Sequence, residues 1–155
     1  ASAVATFVGQ NYGAKNYDRI AKTYKIVLSN ILILGGIITI IFVFFPRPLY
    51  GMFFKDEKMI ALGISYLSIV GFSQLFMCAE ITTSGAFNGM RKTLQPTVIS
   101  IIFTSLRIPI ALILIPLLGL NGIWWSISLT SIAKGILVVV LFLIVLKKID
   151  VKETK

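Results

Sequence analysis

Long apolar runs separated by short polar segments dominate the sequence. The first complete run covers residues 26–45, and three more cover about 60–90, 94–118 and 122–146. A run of about 20 apolar residues crosses about 30 Å of hydrocarbon as an α-helix that rises 1.5 Å per residue. The pattern therefore predicts an all-α fold, a polytopic transmembrane helix bundle with four complete spans.

The segments between these runs carry polar and helix-breaking residues. Residues 1–14 are predicted to be a partial helix that stops near Gly13, and residues 15–25 a basic surface or connecting segment. The PRP sequence at residues 46–48 should end the first span, because proline lacks an amide donor, and GLNG at 119–122 has the chemistry of a short turn. Residues 1–146 are thus interpreted as one transmembrane domain and residues 147–155 as a cytoplasmic polar tail.

Composition agrees with a membrane location. Hydrophobic residues make up 57% of the chain and charged residues only 14%, with a mean hydropathy of +0.92, so lipid is the expected surrounding. The net charge of +9 sits at the ends of apolar runs, which argues against a nucleic-acid partner. Cys78 is the single cysteine and histidine is absent, so no disulfide framework is predicted. The chain opens without an initiator Met or signal peptide, and we expect it to be part of a longer polypeptide.

The distribution of basic residues predicts an orientation. When the loops are assigned alternately to the two sides, ten basic residues fall on one side: Lys15, Arg19, Lys22, Lys25, Arg91, Lys92, Lys147, Lys148, Lys152 and Lys155. Only Arg47, Lys55 and Lys58 fall on the other. Because basic loops are retained in the cytoplasm, the first side and the C-terminus are predicted to be cytoplasmic. Trp124 and Trp125 lie at the outer end of the fourth span and are predicted to be interfacial anchors.

Three ionisable residues fall inside the predicted spans: Glu80, Arg107 and Lys134. A charge at the centre of a spanning helix costs about 2.5–3.5 kcal/mol on an insertion scale, so none of the three should face lipid unpaired. We therefore expect Glu80 to pair with Arg107 or with Lys134. Such a pair would either only hold the helices together or belong to a functional site, and the sequence leaves both interpretations open.

Polar residues recur at helical spacing around these charges. The candidate cavity residues are Ser73, Gln74, Met77, Glu80, Ser84 and Asn88 on the second span, Thr104 and Arg107 on the third, and Thr130 and Lys134 on the fourth. Stripes on three helices predict a polar cavity or a hydrogen-bonded bundle interior. Glu80 is the candidate for cation coupling and for a Na⁺ ligand, because a lone carboxylate can exchange a proton or hold a cation. The sequence shows no catalytic constellation, no nucleotide loop and no metal cluster, so we expect neither an enzyme nor a bound cofactor.

Three segments together resemble the multidrug and toxic compound extrusion (MATE) family. They are VGQNYGAKNYDRI at residues 8–20, YLSIVGFSQLFMCAEITTSGAFNGMRKT at 66–93 and LRIPIALILIPLLGLNGIWWSI at 106–127. The resemblance implies a twelve-helix transporter of two six-helix lobes, of which this chain is most of the C-terminal lobe, from the end of helix eight to helix twelve. The missing N-terminal lobe would then be its partner.

The resemblance also implies an activity. Members of the family export cationic, amphipathic organic compounds from the cell across the plasma (inner) membrane, driven by inward movement of Na⁺ or H⁺, and several carry acidic residues on helix ten. Glu80 occupies one such position, whereas Met77 stands where some members have aspartate and Asn88 where many have arginine. Two alternatives stay open. One is a related flippase of lipid-linked oligosaccharides, whose cavity would use Arg107 and Lys134, and the other is a structural membrane subunit.

Overall fold

The computed structural model describes the backbone of residues 2–153 and the side chains of residues 2–149. Six helices follow one another within these residues: α1 (Ser2–Gly13), α2 (Tyr17–Phe44), α3 (Pro46–Gly51), α4 (Glu57–Gly89), α5 (Leu94–Leu118) and α6 (Leu120–Glu153). This part of the chain contains no strand. Four of the helices, α2, α4, α5 and α6, are long and apolar enough to cross a membrane. The predicted fold, an all-α transmembrane bundle, is confirmed.

Some element boundaries differ from the sequence-based ones. Residues 17–25, predicted as a connecting segment, form the first turns of α2 and continue directly into the apolar span. The PRP segment begins the short helix α3, because proline is well tolerated in the first turn of a helix. The turn predicted at 119–122 is shorter in the structure, where Gly119 alone separates α5 from α6. Its φ of 58° lies in the left-handed region, which glycine adopts without strain. Residues 154–155 of the predicted tail lie outside the described residues.

Helices α4 and α6 form the centre of the bundle. Helix α2 packs mainly on α4, α5 packs almost entirely on α6, and the short helices α1 and α3 both pack on α4. Direct contact between α4 and α5 is slight. The outer faces of α2 and α5 expose long aliphatic side chains such as Ile33, Ile37, Ile108 and Leu112. A bundle of this kind places those faces against lipid or against further helices.

The best-packed part of the bundle lies toward the end that carries the α1–α2 and α4–α5 turns. There the ring of Phe142 on α6 lies 4.3 Å from that of Tyr24 on α2 and 5.0 Å from that of Phe87 on α4. The Tyr24 hydroxyl bonds Thr83 Oγ1 over 2.8 Å, and Thr83 in turn donates to the Ala79 carbonyl over 2.7 Å. Because the threonine hydroxyl has one hydrogen, Tyr24 is the donor of the first bond. Aromatic packing and a buried hydrogen bond thus join three helices here.

Glycine permits the closest helix contacts. A Cβ added to Gly89 on α4 would lie 2.5 Å from the carbonyl oxygen of Ala5 on α1. A Cβ added to Gly135 on α6 would lie 2.6 Å from the carbonyl oxygen of Phe76 on α4. Both obstacles are backbone atoms that cannot rotate away, so the two helix pairs depend on the absence of a side chain at these positions.

We predict that Gly135→Ala destabilises the bundle by roughly 1–3 kcal/mol, because the added methyl group forces α6 away from α4. Gly36→Ala is the matched control, since a Cβ there would meet only the flexible side chain of Leu75, at 3.8 Å. Thermal unfolding of the two variants in detergent measures the difference. Equal melting temperatures would contradict the close α4–α6 approach.

Candidate functional site

An ion pair joins the two central helices. Lys134 Nζ on α6 lies 3.0 Å from Glu80 Oε2 on α4, and the two side chains are only 13% and 14% exposed. Glu80 stands eleven residues, roughly 16 Å of helix rise, before Arg91, and Lys134 thirteen residues, roughly 20 Å, before Lys147. The pair therefore lies deep in the hydrocarbon region. Of the two expected partners of Glu80, the structure selects Lys134.

Arg107 on α5 makes different contacts. Its Nε donates to Thr130 Oγ1 over 3.2 Å, and one of its terminal amino groups donates to Ser131 Oγ over 3.3 Å. Thr130 itself donates to backbone carbonyls one turn earlier in α6, at Ser126 and Ile127. The guanidinium is half-buried, and among the described residues no carboxylate lies within ion-pair distance of it. Hydroxyl groups thus accept two of its five N–H donors, and its charge has no carboxylate partner among the described residues.

These two contacts belong to one face of α6. Thr130 and Ser131 precede Lys134 by four and three residues, the spacing that places side chains on the same side of a helix. Helix α6 therefore presents a polar strip that α4 meets through Glu80 and α5 meets through Arg107. The site unites one acidic and two basic groups from three helices, with a formal charge of +1.

The other predicted cavity residues have varied surroundings. Ser73 is fully buried and donates to the Val70 carbonyl over 2.8 Å, so it stabilises α4 locally. Three of the others are partly buried on α4, namely Gln74, Met77 and Ser84. Asn88 and Thr104 are exposed. Thr104 is exposed on α5, which touches α4 little, so it takes no part in the ion-pair site.

Sequence reasoning did not single out Ser131, which receives one of the two Arg107 hydrogen bonds. The two candidates it named on α6, Thr130 and Lys134, are a step of four residues apart. A step of three from Ser131 to Lys134 lies on the same face and would have found it. Ser128 is a further buried hydroxyl on α6 and has no hydrogen-bond partner in the structure.

The fold and the site define a class: a polytopic membrane protein whose central helices hold charged side chains away from lipid. A sequence model of the MatE family matches residues 1–113. The chain belongs to the MatE family, which confirms the resemblance to multidrug and toxic compound extrusion proteins. Within the described residues, no group of three or more Cys, Asp or Glu side chains is arranged to hold a metal ion.

Three curated relatives extend the comparison. The chain is 28% identical to a "Probable multidrug resistance protein NorM" of Thermotoga maritima over 91% of its own length and 31% of the relative. It is 26% identical to a "Probable multidrug resistance protein YoeA" of Bacillus subtilis, over 79% of this chain and 27% of that protein. It is also 27% identical to a "Probable multidrug resistance protein NorM" of Chromobacterium violaceum, over 88% of this chain and 31% of that protein. The chain thus spans about a third of the length of these relatives.

We predict that a double-mutant cycle of Glu80→Gln and Lys134→Gln shows strong coupling. Either single change leaves one charge at membrane depth without its partner, whereas the double variant leaves none, so each single variant should be less stable than the double. Removal of one partner from a fully buried pair lowers the free energy of unfolding by about 3–5 kcal/mol. This pair is slightly exposed, so we expect a loss near the lower end of that range. Thermal unfolding in detergent provides the four stabilities.

The exposed pair Arg47–Glu57 is the control for this cycle. Its atoms are 3.5 Å apart with the side chains 71% and 79% exposed, so its coupling should stay below about 1 kcal/mol. A second cycle, of Glu80→Gln with Arg107→Gln, should couple more weakly than the pair with Lys134. Strict additivity for Glu80 and Lys134 would show that the contact contributes nothing to stability.

Proposed function

We propose that this chain is part of the C-terminal lobe of a secondary active multidrug exporter, which moves cationic amphipathic organic compounds out of the cell by antiport against Na⁺ or H⁺. Three lines of support agree. The chain belongs to the MatE family. Its curated relatives carry the name of multidrug resistance proteins, and its long helices fit a multi-pass membrane protein. The proposed partners are membrane lipid, organic cations and an N-terminal lobe of the same polypeptide.

The observation that carries the proposal is the buried Glu80–Lys134 pair. A transporter of this kind needs a group at membrane depth whose charge changes when the coupling ion binds. Neutralisation of Glu80 removes the attraction that holds Lys134 at 3.0 Å. Helices α4 and α6 then lose one of the interactions that join them, so the charge state of a single carboxylate can bias their packing.

The same geometry favours the proton over Na⁺ as the coupling ion. The Lys134 ammonium already occupies the place beside the Glu80 carboxylate that a metal cation would take. Na⁺ would have to displace it at a position where Met77, one helical turn earlier, offers no carboxylate. A proton needs no such space, because it binds to an oxygen of Glu80 itself.

Arg107 favours a second candidate, export of an anionic lipid-linked oligosaccharide. Among the residues that the structure describes, hydroxyl dipoles and no carboxylate face its charge, and the site has a formal charge of +1. A positive cavity attracts anionic rather than cationic substrates. Transport assays with a cationic dye and with a pyrophosphate-linked lipid distinguish the two candidates.

We expect Glu80→Gln to abolish gradient-driven export of a cationic dye from cells that produce the full-length protein. The amide keeps the size and much of the hydrogen bonding of the carboxylate but cannot exchange a proton. Glu80→Asp should retain part of the activity, because the charge survives on a shorter side chain. Dye accumulation is measured with and without an uncoupler of the proton gradient and, separately, with and without a Na⁺ gradient.

Glu57→Gln is the matched control for this experiment, since Glu57 is an exposed carboxylate near the start of the same helix. It should export dye at the normal rate. If Glu80→Gln, produced at a normal level, still exports dye and still responds to the uncoupler, the carboxylate is a packing partner and the proposal fails.

The proposed orientation places the basic side, including the α4–α5 turn and the C-terminus, in the cytoplasm. A single cysteine at Lys55 should then react with an impermeant thiol reagent added outside intact cells, whereas one at Lys92 should react only after the membrane is opened. Both are introduced in a Cys78→Ala background. Labelling at Lys92 and not at Lys55 in intact cells would invert the topology.

A further inference from the structure

A cleft of about 350 Å³ opens at the end of the bundle that carries α3. Four aromatic rings line much of it: Tyr50 from α3, Phe54 from the loop that follows, Tyr66 from α4 and Trp124 from α6. Almost all of its wall is apolar carbon. It lies away from the Glu80–Lys134 pair, since Tyr66 precedes Glu80 by fourteen residues, roughly 21 Å along α4. The cleft has no part in the ion-coupling site.

The walls of this cleft are well packed, with one polar group unsatisfied. Tyr50 lies against Gly63, where any side chain would overlap its ring. Tyr66 meets Trp124 edge to face, with ring centroids 4.9 Å apart. The indole Nε1 of Trp124 is buried and has no acceptor in the structure. Protein atoms enclose this donor, so the cleft offers an occupant apolar contacts rather than a hydrogen bond.

A second cleft, of about 510 Å³, adjoins the first and is more polar. Lys58, Ser65 and Asn121 line it, and Leu62 belongs to both clefts. Each cleft is lined by one stripe of residues along the first turns of α4. The stripe of the second cleft consists of residues 58, 61, 62 and 65, and that of the first cleft of residues 59, 62, 63 and 66. Leu62 belongs to both stripes and is therefore the ridge between the clefts. An elongated molecule can therefore lie across Leu62 with one part in each cleft.

Charge around the second cleft favours an anion. Among the described residues, no carboxylate lies within ion-pair distance of the Lys58 ammonium. The two acidic residues nearby are otherwise engaged, because Asp56 accepts the backbone N–H of Lys58 and Glu57 is paired with Arg47. Residues 46–58 carry three basic and two acidic side chains, a net charge of +1.

We propose that the two clefts hold one phospholipid molecule. Its acyl chain lies in the aromatic cleft, and its phosphate lies by Lys58 and Asn121 in the second cleft. The position supports this occupant, because the ends of membrane-spanning helices lie in the layer where ester groups and phosphates meet hydrocarbon. An apolar cleft that shares a ridge with a cation-lined cleft matches the acyl chain and the phosphate of a phospholipid.

Photocrosslinking tests this proposal on the full-length protein in vesicles of phosphatidylethanolamine and phosphatidylglycerol that contain a phosphatidylglycerol with a photoreactive acyl chain. Crosslinks should map to the peptides that contain residues 59–66 and Trp124. Trp124→Phe, which removes part of the aromatic wall, and Lys58→Gln, which removes the cation, should each reduce this crosslinking severalfold. Trp125→Phe and Lys55→Gln are matched controls just outside the clefts and should leave it unchanged.

Other outcomes would overturn the proposal. Absence of crosslinks at these peptides in the unaltered protein means that another protein segment covers the clefts. Equal crosslinking in all four variants means that only bulk lipid passes over the surface. Competition by inorganic phosphate, without competition by unlabelled phosphatidylglycerol, means a site for a free anion. Thermal unfolding confirms that each variant is folded, and Lys58→Gln, an exposed substitution, provides a test that does not disturb packing.

Discussion

A charge inside a membrane must have a partner, and this requirement shapes the centre of the bundle. Glu80 and Lys134 lie deep in adjacent helices, and either one alone would face hydrocarbon at a cost of several kcal/mol. Together they form a contact of 3.0 Å that joins α4 and α6 at this position. The remaining long helices are added outside this pair, α2 on α4 and α5 on α6.

Close backbone approach makes so short a contact feasible. Gly135 follows Lys134 directly and meets the carbonyl of Phe76, one turn before Glu80, at a distance that excludes a side chain. The small residue and the ion pair therefore support each other: glycine brings the helices together where the charges lie, and the charges hold the helices at that height. Arg107 bonds Thr130 and Ser131 on the same face of α6 as Lys134 and so joins α5 to the same polar strip. Three helices thus meet around side chains that lipid would not solvate.

Much of the fold could be predicted from the sequence because lipid imposes simple rules. The four apolar runs correspond to four helices that are long and apolar enough to cross a membrane, and α1 ends at Gly13. The start of α2 at Tyr17 was harder to predict, since basic residues are compatible with a helix as readily as with a connecting segment. The choice of Lys134 over Arg107 as the partner of Glu80 could not be made, because both cations lie at membrane depth and only the packing of α5 on α6 separates them. Ser131 was missed because a stripe followed in steps of four passes it by.

The central claim is that the Glu80–Lys134 pair is intact at rest and opens when the carboxylate is neutralised. Solid-state NMR of the full-length protein in lipid, with ¹³C in the Glu80 carboxyl and ¹⁵N in the Lys134 amine, measures the dipolar coupling between these two groups directly. We expect strong coupling at neutral pH, consistent with the 3.0 Å contact, and its loss when acid protonates the carboxylate of the folded protein. Coupling of equal strength in the ionised and the protonated protein would contradict this mechanism, because the contact between the two helices would then not depend on the charge of Glu80.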